Sequence, residues 1–273
     1  MIVEEMSCFA IVLRCFEREI GIFMTKYCKA VINYLGCEVE YFRNERDGDN
    51  ILDRYNKLAA DGRVSGFCPL IIVADRDMSE AIDYNLNKFK SGRSAEGYAD
   101  FRKRMTEQSA AVDVAAFFED TYRSFLGEYS EEDLMGEYAA GEKEDYLYLH
   151  MDGNRPCKEI LIAKIPVLNP WELAAYVPMG GFDECPAPDV QTAVFKYWYE
   201  RYGAVPCIVS GSAWEIKLRL PTKTRENAEI LAKEHFAFCP SLVLDVKKKK
   251  YAKIKVLAGE LVDSTAWGFQ WFF

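Results

Sequence analysis

The sequence predicts a mixed α/β (α+β) protein: a helix-rich N-terminal lobe with a short buried sheet, residues 1–143, packed on a C-terminal α+β lobe with a mixed sheet, residues 144–273. Three observations predict it. Pro69-Leu70-Ile71-Ile72-Val73-Ala74 is a short unbroken apolar run, the pattern of a strand buried on both faces. Apolar residues recur at helical spacing on both sides of that run. Beyond residue 144, strand-like runs alternate with helical ones, punctuated by Gly and Pro.

Taken in order, Phe9, Val12, Leu13 and Phe16 share one helical face and predict one or two helices within the first 35 residues. Cys37 to Phe42 reads as a short strand, and Ile51 to Ala60 as a helix ended by Asp61-Gly62. Asp77 is placed to cap the helix after the buried strand, and 95–140 is helical and increasingly acidic. Tyr146-Leu147-Tyr148-Leu149-His150 and Ile160-Leu161-Ile162-Ala163 flank Asp152-Gly153-Asn154, which predicts two strands around a turn. Asn169-Pro170 starts a helix, and 189–202 forms another that Gly203 ends. Val205–Val209 and Trp214–Leu220 pair across Ser210-Gly211-Ser212-Ala213. Thr224 caps a helix to about Phe238, a further helix covers 251–262, and Thr265–Phe273 is the closing strand.

Composition excludes several classes. The longest stretch without charge, Tyr202 to Trp214, is short of the ~20 residues that cross a bilayer. Glu4 and Glu5 stand where a secretory signal has basic residues, and Arg14 interrupts the apolar run that follows, which predicts a mature cytosolic start. Nine cysteines without a Cys-x-x-Cys pair predict reduced thiols and no metal site or cofactor. Residues 1–150 hold 29 acids against 18 bases, and twelve of the acids fall between Glu107 and Asp145 against only Arg123 and Lys143. Such a surface disfavours nucleic acid. Lys247 to Lys250 form a cationic run, expected in a solvated loop or against the acidic 107–145 stretch or an acidic partner.

Four blocks crowd the last hundred residues. They are Gly180-Gly181-Phe182-Asp183-Glu184-Cys185-Pro186, Tyr197-Trp198-Tyr199-Glu200-Arg201-Tyr202-Gly203-Ala204, Glu234-His235-Phe236-Ala237-Phe238-Cys239-Pro240 and Trp267-Gly268-Phe269-Gln270-Trp271-Phe272-Phe273. In this order they resemble the bacterial family known as domain of unknown function 4253. The resemblance covers 167–273, is sharpest from Ala228 to Pro240, and extends weakly to Gly66–Val73; residues 1–50 fall outside it. The chain departs from the family pattern at Asp183, Ser241, Gln270 and Phe272, where members carry Asn, Asp, Trp and an acid. If members used those acids in catalysis, this one would be impaired. The resemblance implies a fold and a bacterial origin, and no activity.

Each block has a chemical and an architectural reading. His235 shares a helix stripe with Ala228, Leu231 and Ala232, with Cys239 one turn on and Glu234 adjacent, so it is a candidate general base beside a thiol. A helix C-terminus opposes thiolate, however, and a hydrogen-bonded core histidine fits the stripe better. Cys68-Pro69, Cys185-Pro186 and Cys239-Pro240 mark strand starts or helix stops. Gly180-Gly181 before Asp183 and Glu184 lacks phosphate-loop spacing and reads as a turn.

The helix over 189–202 carries two aromatic stripes, Val190, Val194, Tyr197 and Trp198, and Phe195, Tyr199 and Tyr202. That surplus makes Tyr197, Trp198, Tyr199, Arg201, Tyr202, Trp267 and Trp271 the candidate binding residues. The function expected is a cytoplasmic, non-enzymatic module that binds a protein partner, as immunity or toxin-neutralising proteins do. The alternative is a hydrolytic enzyme with a cleft between the lobes built from Glu184, Cys185, Glu234, His235 and Cys239.

Overall fold

The computed structural model describes residues 24–244 and 253–271. The stripe of Phe9 to Phe16, the lysines at 247–250 and the terminal Phe272 and Phe273 lie outside the described residues.

Thr25 opens the described fold by accepting a hydrogen bond from the Cys28 N–H, which caps α1 (Lys26–Leu35). β1 (Val39–Arg43) follows, then α2 (Gly48–Ser65), which is capped by Asp47 and passes through Gly62 to end at Gly66. β2 (Cys68–Val73) is the apolar run, buried along almost its whole length. The cap of α3 (Arg76–Lys88) is Asp75, not Asp77: its extended backbone aims the carboxylate at the Met78 N–H. The acidic stretch folds as α4 (Ala95–Ser109), α5 (Val114–Leu126) and α6 (Glu131–Met135), each opened by a Ser or Asp cap.

Residues 146–150 are not a strand. The carboxylate of Glu215 accepts the N–H groups of Tyr148 at 2.7 Å and Leu149 at 2.9 Å, so a side chain takes the donors that a ladder would need. The turn over Gly153 joins only the two-residue strands β3 (Met151–Asp152) and β4 (Arg155–Pro156). β5 (Glu159–Ile165) instead runs antiparallel between β1 and β2, with Val39 opposite Ala163 and Ile71 opposite Ile162. After α7 (Leu173–Tyr176) and α8 (Pro188–Tyr202) come β6 (Val205–Val209) and β7 (Ala213–Lys217). Last are α9 (Arg225–Phe238), α10 (Ile254–Leu261) and β8 (Ala266–Gln270).

The main sheet has six strands in the order β1-β5-β2-β6-β7-β8, parallel only where Ile71 and Ile72 of β2 face Ile208 and Val209 of β6. Period-two alternation sends Leu70, Ile72, Leu161 and Ala163 into a large core under α1, α3, α4, α5, α8 and α9. Ile71, Ile160, Ile162 and Ile208 point the other way, where Ile51, Tyr55 and Leu58 of α2 cover them with Leu147. This two-sided cover is why β2 reads as a continuous apolar run. Strands from before and after residue 143 alternate within one sheet, so the change of charge near that residue is not a break in the sheet. No helix among the described residues is long and apolar enough to cross a membrane.

Candidate functional site

α8 lies between the sheet and other helices, and this explains its two aromatic stripes. Trp198 is fully buried, stacked on Phe269 of β8 at 5.3 Å and on Phe118 of α5 at 6.0 Å. On the other stripe, Tyr199 packs on Trp171 at 4.9 Å and Tyr202 on Trp267 at 5.4 Å. Trp267 and Trp271 are 4% and 3% exposed, so with Trp198 they belong to the core. Of the aromatic candidates, Tyr197, Tyr199 and Tyr202 reach partly to the surface, and Arg201 is exposed with its guanidinium 3.5 Å over the Tyr197 ring.

His235 is packed against three aromatic rings. The rings of Trp267, Phe269 and Trp198 stand 4.5, 4.8 and 5.0 Å from its own, and its Nε2 is buried without a hydrogen bond. Burial pulls its pKa down to about 3, so the imidazole is neutral at physiological pH. His235 is thus a core residue, with Nε2 facing rings.

What joins His235 to Cys239 is backbone, the Cys239 N–H to the His235 carbonyl at 2.8 Å. The Cys239 thiol faces the Gln270 carbonyl, and burial pushes its pKa up to about 12. Cys185 sits against Met179 and the Gln191 amide, and burial raises its pKa well above the ordinary thiol value. Neither sulfur is placed to exist as the thiolate that nucleophilic chemistry requires. Glu184 is exposed, and partial desolvation raises its pKa. Among the described residues, no group of three or more His, Cys, Asp or Glu is placed to hold a metal ion.

The Gly-Gly block is a locked turn. Gly180 adopts φ +97° and Gly181 φ +78°, and a Cβ on Gly180 would fall 2.2 Å from Gln191 Nε2. The buried Asn85 of α3 donates to the Gly180 carbonyl at 3.0 Å, and Gln191 donates to the carbonyls of Met179 and Pro186. The sequence pattern exposes the glycines but not these two amides, which lie 95 residues before the turn and eleven after it.

One groove opens beside this core. It has a volume of about 450 Å³ and lies where α5, α8 and α9 meet. Phe118, Tyr122 and Tyr197 line it, Ile230 and Leu126 stand on it with 60% and 37% of their surface exposed, and Glu234 is at its inner side. Glu234 is 8% exposed; Tyr197 Oη donates to its Oε1 at 2.7 Å and Trp198 Nε1 to its Oε2 at 2.9 Å. Desolvation raises its pKa despite those two donors. The wall charges pair off, Arg123 with Glu119 at 2.7 Å and Lys233 with Glu131 at 3.9 Å. Sequence reasoning found Tyr197 and Glu234 but missed Phe118, Tyr122, Leu126, Ile230 and Lys233. The apolar stripe of α5 was the available signal, obscured by the acids around it.

Residues 161–271 match the family described as Domain of unknown function (DUF4253). It is this segment that is similar to DUF4253. The matched segment supplies most of β5, all of β6 to β8 and α7 to α10, whereas α5, the outer wall of the groove, lies before it. It also leaves a gap in its own sheet, since β2 fills the place between β5 and β6. Comparison with the curated proteins and with the solved structures returned no match.

Proposed function

We propose that the protein is a cytoplasmic, non-enzymatic binding module that holds another protein in the groove between α5, α8 and α9, in the manner of an immunity or toxin-neutralising protein. The observation that carries this reading is the groove itself: an aromatic floor beneath two exposed apolar side chains, Ile230 and Leu126, with paired charges around them. An apolar and aromatic centre inside a charged rim is the anatomy of a protein-binding patch. The surrounding acids, among them Glu119, Asp120, Glu128 and Glu131 to Asp133, favour a basic partner. The sealed imidazole and the protonated thiols give the hydrolytic alternative no support.

A photo-crosslinking residue placed at Ile230 tests the proposal, with the same residue at Val64 as control. Val64 is 90% exposed and lies on α2, against the opposite face of the sheet. In the native host cytosol, position 230 is expected to capture a discrete basic protein that position 64 does not. Equal capture at both positions, or none at 230, overturns the reading.

A further inference from the structure

Glu234 is a buried carboxylate whose two oxygens receive only neutral donors, Tyr197 Oη and Trp198 Nε1. No described cation comes within 4 Å of it. The nearby bases make their contacts elsewhere: Arg123 with Glu119, Lys233 with Glu131 and over the Tyr122 ring at 4.9 Å, and Arg201 on Tyr197, from where its charge reaches Glu234 without contact. Buried at the inner side of an apolar groove with no cation in contact, such a group gains strongly from a cation brought by a ligand.

The approach to Glu234 selects the shape of that cation. It passes Ile230 and Leu126, which would cover an aliphatic stem, and Phe118, whose ring stands 5.7 Å from that of Tyr197. Each carboxylate oxygen already accepts one hydrogen bond, so a bidentate guanidinium fork has less to grip than a compact ammonium. We infer that the groove takes a lysine side chain projected from the partner, its stem across Ile230 and Leu126 and its ammonium on Glu234. The acid excess on α5 and α6 adds long-range attraction for a lysine-bearing segment.

This inference rests on the docking reading above, and the test separates the two. The probe is N-acetyl-lysine methylamide, compared with the norleucine analogue, which keeps the stem and lacks the ammonium. The reporter is the Trp198 indole ¹H–¹⁵N resonance, assigned with Trp198→Phe, because that N–H points at Glu234. The lysine probe is expected to shift this resonance saturably at millimolar concentration, and the norleucine probe is not. Glu234→Gln should weaken the lysine response at least tenfold. Ile230→Lys, at an exposed position that folding does not need, should also weaken it by placing an ammonium on the rim. Equal shifts from both probes, or an undiminished response in both variants, overturn the assignment. A partner captured at position 230 whose binding ignores Glu234→Gln would keep the docking site and discard the lysine.

Discussion

The indole N–H of Trp198 donates to Glu234 across the α8–α9 contact at 2.9 Å, and Tyr197, the preceding residue, donates to the other oxygen of the same carboxylate. Consecutive residues of one helix thus serve a single acid on its neighbour, one from the core and one from the groove. The acid is held in place by the ring packing of Trp198, stacked between Phe118 and Phe269. Glu234 is therefore positioned by the same side chain that closes the aromatic core.

Burial predicts an unusual pH dependence for Glu234. Its folded pKa is raised by burial, so the native state binds more protons than the unfolded chain above the ordinary carboxylate range. The contribution of this group to stability is then greatest at acidic pH and is lost as pH rises from the unfolded pKa through the folded one. Glu234→Gln keeps an acceptor and removes the titration. Melting temperatures of wild type and Glu234→Gln should diverge in favour of the variant as pH rises above the ordinary carboxylate value of 4.5. Parallel curves across that range would show that the carboxylate is not desolvated as described.

His235, the next residue, titrates with the opposite sign. Its folded pKa of about 3 lies below the ordinary 6.5, so the unfolded chain binds the proton first and stability falls as pH drops below 6.5. At about pH 5 the shift amounts to about 2 kcal/mol lost relative to neutral pH. His235→Phe removes this loss while keeping a ring among Trp198, Trp267 and Phe269. Denaturant unfolding at pH 7 and pH 5 should show the wild type losing about 2 kcal/mol more than the variant. An equal loss in both would mean that the imidazole finds a proton in the folded state.

The glycines give a ranked prediction. Gly180→Ala puts a Cβ against Gln191 Nε2, the Pro186 carbonyl at 2.4 Å and Cys185 Sγ at 2.7 Å, in a left-handed conformation, and should cost about 3 kcal/mol or more. Gly181→Ala shares the positive φ, but its nearest neighbours, Asn85 Oδ1 and Lys88 Nζ, lie 3.3 Å away, so about 1 kcal/mol is expected. Gly268→Ala meets nothing within 4 Å and should change stability by less than about 1 kcal/mol. Chemical denaturation of the three variants checks the order 180, 181, 268; any other order contradicts the geometry of the locked turn.

What the sequence made legible was local, and what it hid was pairing at a distance. The β2 run, the Thr224 cap of α9 and the Gly203 stop of α8 are each written within a few residues, and each is found. Tyr146–His150 alternates like a strand, but alternation is silent about who takes its N–H groups, and Glu215 takes two of them from 66 and 67 residues away. The aromatic surplus on α8 was visible; that most of it fills a core squeezed between sheet and helices depends on Phe118 arriving from α5 and Phe269 and Trp267 from β8. The groove is the extreme case, since its walls come from helices separated by some seventy residues.

The interleaved sheet makes the last prediction. Residues 161–271 contain nearly all of β5 and the whole of β6, β7 and β8, but β2 stands between β5 and β6. Removing β2 exposes the ladder edges of both neighbours and loses Leu70, Ile71 and Ile72, each fully buried. At about 1.5–3 kcal/mol per side chain this is about 5–9 kcal/mol, comparable to the whole stability of a small domain. A polypeptide of residues 161–271 expressed alone should therefore show a poorly dispersed amide spectrum and no cooperative thermal transition. Adding a second polypeptide of residues 1–160 should restore both, because β2 then re-enters between Ile162 of β5 and Ile208 of β6. A cooperative transition from residues 161–271 alone would show that the family segment closes its sheet without β2.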